Sequence, residues 1–82
     1  MNPVEALNFF INLEEAVVLF MPSYIRHGDF ENELKWRRLI SRIALRAGYS
    51  KEIIRDRKSL HRFVQLVIDT TDNLLQQGIL VL

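Results

Sequence analysis

Apolar side chains recur every three or four residues over most of this chain, and prolines and glycines cut the rhythm into three long runs. That spacing is one face of an α-helix, and no strand pattern competes with it before the last four residues. The first run extends from about Pro3 to Met21. Asn2 can cap it, Pro3 suits the first helical position, and Glu5 favours the positive helix end. Leu7, Phe10, Ile11, Glu14, Val17, Val18 and Met21 recur at three and four, while Phe9, Leu13, Ala16 and Phe20 widen the apolar surface. Phe10, Leu13, Val17 and Phe20 are expected inside, with Leu39, Ile43, Leu60, Val64 and Val67 facing them. A helix this apolar is either central to the fold or shared with another chain.

Pro22 stops the first run, because the residue before a proline is pushed out of the helical region. Gly28-Asp29 is a turn signal, and Tyr24, Ile25 and Phe30 are expected to fold back onto the core. Asp29 or Asn32 can start the second helix, which runs to about Ala47 with Trp36, Leu39, Ile40, Ile43, Ala44 and Ala47 on its apolar face. Gly48 is expected to end it in the left-handed conformation, and Ser50 to cap the next. From Lys51 the pattern reads as one helix of about 27 residues, or as two with a break near Lys58-Ser59 and Ser59 as a new cap. Gly78 ends it, leaving "ILVL" as a short strand or a dimer contact. The expected fold is all-α: a single helical domain over 1–82, built as a small bundle of three long helices, or four if the last one breaks.

An 82-residue chain with 49% apolar residues can form a core, but so small a domain leaves much surface exposed. The surplus invites a homodimer, packed through the first helix or through the C-terminal helix with "ILVL". With no cysteine in the sequence, disulfides, thiolate metal sites and cysteine nucleophiles have no residues to use. The N-terminal stretch is greasy, but it lacks a basic leader region, and Glu5, Glu14 and Glu15 interrupt it. A membrane helix needs about 20 apolar residues with few charges, so a cytoplasmic protein with no membrane contact is expected.

Net charge is only +1, yet ten of the eleven basic residues lie between Lys35 and Arg62, giving that window +8 and the remainder −7. Lys35, Arg38, Arg42 and Arg46 fall at spacings of three, four and four, which places four cations on one helix face. Glu31 and Glu33 can offset part of their repulsion. Concentrated positive charge is the usual footprint of a polyanion partner.

The stretch "IALRAGYSKEII" adds a pattern to the charge. Ala44 is small, Gly48 follows four residues on, Tyr49 is apolar, Ser50 can cap, and Ile54 sits inside the next turn. This resembles the helix–turn–helix of phage and bacterial repressors, over about a quarter of the chain (residues 39–57). Arg57 departs from it, standing where the motif usually buries an aliphatic side chain. The resemblance implies a small transcriptional regulator, dimeric on double-stranded DNA. Lys51, Glu52 and Arg55 would then reach base edges, and Arg38, Arg42, Arg46, Lys58 and Arg62, with Lys35, would meet phosphates. A repressor-type reader needs a break near Ser59. A continuous third helix suits the alternative, a non-enzymatic interaction module whose basic face docks an acidic protein. RNA binding by the same cations is a weaker option.

Other features carry less. Trp36, Phe63 and Phe30 could stack on bases, but they lie at helical core spacing. His27 and His61, the two histidines, lack partners for catalysis or metal binding and read as ordinary surface residues. Asp69, Thr70, Thr71 and Asp72 read as a solvated helix face. No phosphate-binding glycine loop, zinc spacing or nucleophile motif is present, so neither an enzyme nor a cofactor is expected.

Overall fold

A computed structural model of the chain describes residues 2–26, 29–48, 53 and 55–81. Four helices account for most of it: α1 (Pro3–Phe20), α2 (Ser23–Arg26), α3 (Phe30–Ala47) and α4 (Arg57–Gln76). The long helices begin at side-chain caps. Asn2 Oδ1 accepts from the Glu5 N–H at 2.8 Å, and Asp29 Oδ1 accepts from the Asn32 N–H at 3.3 Å. Met21 takes the extended conformation (φ −59°, ψ 131°) demanded by Pro22, and α1 stops there.

α4 packs most extensively on α1, and α3 packs on both, so the three long helices enclose one core. Phe9, Leu13, Ala16 and Val17 enter it from α1, Trp36, Ile40 and Ala44 from α3, and Leu60, Val64 and Ile68 from α4. Met21 and Ile25 close one end. The expected phase of α1 is corrected here. Phe9 is 3% exposed and Phe10 45%, with Phe20 only partly buried. The buried set recurs as 9, 13, 16, 17, whereas Leu7, Phe10 and Ile11 face outward. Both sets have helical spacing, and only contact with α3 and α4 selects between them. Leu39, Ile43 and Val67 are likewise partly buried at the edges of the core, and Ala47 is exposed. Tyr24 and Phe30, expected on the core, are 55% and 75% exposed. Tyr24 instead donates its hydroxyl to Asp72 on α4. Desolvation of the phenol, reinforced by that carboxylate, raises its pKa. Thr71 is buried rather than solvated, and Asp72 is half-buried, so the expected polar face of α4 is Asp69 and Thr70 only.

The chain breaks after α3. Gly48 caps that helix with its N–H on the Ala44 carbonyl at 2.7 Å, but at φ −83°, not in the left-handed region expected of it. A different constraint selects glycine. A Cβ here would stand 2.9 Å from Phe9 Cζ and 2.7 Å from the Ala44 oxygen. The predicted cap Ser50, with Tyr49 and Ile54, lies outside the described residues, as does His27. Ile53 is helical and packs against the core. The single 27-residue helix is excluded, because Arg55 is in a bend and Asp56 is extended (φ −152°, ψ 163°). Asp56, not Ser59, caps α4: its Oδ1 accepts the Ser59 N–H at 2.7 Å and its Oδ2 accepts the Ser59 hydroxyl at 3.1 Å. A carboxylate at the positive helix end takes both donors at once.

α4 ends as predicted at Gly78, which does adopt positive φ (+74°). The Ile79 N–H returns to the Leu74 carbonyl at 3.0 Å and the Gly78 N–H to Leu75 at 3.2 Å, a Schellman closure. The tail turns back without forming a strand among the described residues. No helix there is long and apolar enough to cross a membrane.

Candidate nucleic-acid interface

The helical period of α3 separates its two faces. Trp36, Ile40 and Ala44 are fully buried, while Lys35, Arg38, Arg42 and Arg46 are exposed on the roughly opposite side. From Lys35 to Arg46 the stripe spans about 16 Å at 1.5 Å per residue, one cation per turn. Among the described residues none of the four forms an ion pair, either with Glu31 and Glu33 or with any other acid. Lys35, Arg38 and Arg42 share a depression with Leu39 and Val81, and on the side toward α1 Arg38 and Arg42 line another with Glu14, Arg37 and Ser41.

Arg37 belongs to the fold instead. Its Nη2 donates to Glu14 Oε2 at 3.0 Å, tying α3 to α1. Arg57 does the same from α4, reaching Glu15 Oε2 at 2.6 Å. Arg57 was the position where the repressor motif buries an aliphatic group; it is exposed at the first turn of α4 and belongs to a new helix.

The remaining candidates do not gather into one site. Lys58 and Arg62 are exposed and border a separate depression with Phe20, Arg57, His61 and Gln65. His61 is half-buried rather than on the surface: its ring meets Phe20 edge-on at 5.8 Å, and its Nε2 is buried without a hydrogen-bond partner among the described residues. Arg55 is exposed, but it lines a fourth depression with Glu5, Asn8, Asn12 and Asp56, where the charges are mixed. Lys51 and Glu52, expected to read bases, lie outside the described residues. Trp36, fully buried, is closed to stacking on any base.

The arrangement therefore offers a linear row of cations on α3 and a second pair on α4 among the described residues. Sequence reasoning treated the basic window as a single cluster. It missed the sorting by α1, whose signal was the acidic pair Glu14-Glu15 set among apolar residues. No protein-family model matches the chain, and neither a curated protein nor a solved structure matches it.

Proposed function

We propose that this protein is a small DNA-binding regulator whose α3 lies along the phosphate backbone. The observation that carries the reading is the row Lys35, Arg38, Arg42 and Arg46, exposed and without an acidic partner among the described residues. Four like charges in consecutive turns repel one another, and an anionic strand offsets that repulsion while releasing its counterions. The chain breaks at Arg55-Asp56, close to the Ser59 position where a repressor-type reader requires a break, and this supports the reading. Phosphate contacts from α3 would set position, and residues 49–54 would supply any base reading.

A second reading, an interaction module docking an acidic protein, is favoured by one observation. Arg55, the main arginine candidate for reading guanine, lies in a bend beside Glu5 and Asp56 and not on a helix.

Binding to random duplex DNA across a salt series tests the first reading. If the four α3 cations each neutralise one phosphate, log affinity falls against log salt with a slope of about −3.6. Arg42→Ala reduces that slope by about one, whereas Arg37→Ala, which removes a cation already paired within the fold, changes it far less. A slope near zero, or equal losses from both variants, overturns the DNA reading.

A further inference from the structure

We propose that the outer face of α1 is the seam of a homodimer, formed by a second copy of this chain packing helix against helix. Six of the eleven large apolar side chains exposed among the described residues belong to α1 alone. Val4, Leu7 and Ile11, 68%, 60% and 49% exposed, follow the three-four spacing of one helix face, on the side away from Phe9 and Leu13. Phe10 and Leu19 flank it. Such a stripe on a helix is a contact surface in search of a partner.

The area agrees with a missing partner. A monomer of 9.7 kDa is expected to expose about 5,100 Å². This chain exposes 5909 Å², about 800 Å² more than that relation gives. A standard interface covers about 800 Å² per partner. The molecule is also elongated, 37 × 22 × 18 Å, as one half of a paired bundle is.

Charge selects the occupant. α1 contains three glutamates and no basic residue, so it lacks the Lys/Arg-rich polar face of helices that lie on membranes. Glu14 and Glu15, which interrupt the face, are each held by an arginine of the same chain. A partner therefore needs no cations of its own. It needs an uncharged apolar helix face of similar length, and this molecule presents one. A two-fold axis lets the same patch serve both sides. The seam is independent of the DNA reading, since the basic row is on α3.

Sedimentation equilibrium of the full chain at about 100 μM tests it. The expected result is a mass of two chains. Ile11→Glu should raise the dimer dissociation constant by about 100-fold or more, because the two-fold axis buries the unpaired charge twice. Leu66→Glu, at an exposed apolar position on α4, should leave the dimer intact. Should Ile11→Glu fail to fold, the absence of native cysteine allows Ile11→Cys to be cross-linked by a short bis-maleimide, with Leu66→Cys uncross-linked. A monomeric wild type overturns the proposal, whether or not it adsorbs to phosphatidylcholine vesicles; adsorption would assign the face to lipid. A dimer lost through Leu66→Glu and kept by Ile11→Glu overturns it too.

Discussion

Replacing Gly48 by alanine tests why a glycine stands at the end of α3. At φ −83° alanine has no conformational objection to the site, and reduced freedom in the unfolded chain should stabilise the variant by about 0.4–1 kcal/mol. Packing opposes this. The new Cβ would lie 2.9 Å from Phe9 Cζ, against about 3.5–4.0 Å for relaxed carbon contact, and the ring is only 3% exposed with the core behind it. The Ala44 carbonyl, 2.7 Å away, resists movement on the other side. Overpacking of this kind costs about 1–3 kcal/mol. The net expectation is a loss of about 0.5–2 kcal/mol, read from the urea midpoint at unchanged m-value. Phe9→Leu removes the ring tip, so in that background the alanine should be less costly, with a coupling of at least about 0.5 kcal/mol. Coupling stays partial, because leucine does nothing for the Ala44 oxygen. A stabilised Gly48→Ala, or additivity within about 0.3 kcal/mol, refutes the reasoning.

The phase of α1 predicts a contrast between neighbours: Phe9→Ala should cost about 3–5 kcal/mol and Phe10→Ala about 1 kcal/mol, measured by denaturant unfolding. Equal costs would mean that the burial of α1 is misassigned. The hydrogen bond from the Ser59 N–H, aided by the Ser59 hydroxyl, holds the Asp56 carboxyl below its ordinary pKa. A carboxylate with a depressed folded pKa contributes stability that is full above its unfolded pKa and is lost as pH falls through the folded value. Asp56→Asn keeps a good cap and removes only the charge, so wild type should exceed it in thermal midpoint at pH 6, with the difference fading below about pH 4. A difference that persists unchanged at pH 2 would rule out the carboxylate as its source.

The helices were legible because their start and stop signals are local. Asn2, Pro3, Asp29, Pro22 and Gly78 each act on their own turn, and each acts as the sequence implied. The all-α bundle followed from them. The faces were less legible, since α1 offers two apolar sets with helical spacing and the choice belongs to the helices that pack on it. Gly48 shows a subtler limit. A glycine after a helix signals left-handed φ, yet here the cause is a phenylalanine thirty-nine residues earlier in the chain. The cap of α4 was placed at Ser59, three residues late, because serine and aspartate are both good caps and both are present in "DRKS". For the candidate site, the α3 row was legible as periodicity. The division of the basic window among three surfaces was not, because it depends on which cations reach α1.

That division bears on function more than the net charge does. α1 supplies acids and no base, and two arginines, Arg37 of α3 and Arg57 of α4, pair with Glu14 and Glu15. Half-exposed pairs of this kind add at most about 1 kcal/mol each, so holding the bundle together cannot be their main consequence. What they do is engage Glu14 and Glu15 in contact pairs with Arg37 and Arg57. Lys35, Arg38, Arg42 and Arg46 are exposed on α3 and form no ion pair among the described residues, although Arg38 and Arg42 border a depression with Glu14. Such a row costs the isolated helix a few tenths of a kcal/mol per like-charged pair, and the anionic partner proposed above would offset that cost. On α3, Arg37, which pairs with Glu14, and the row Lys35, Arg38, Arg42 and Arg46 thus occupy different faces of one helix.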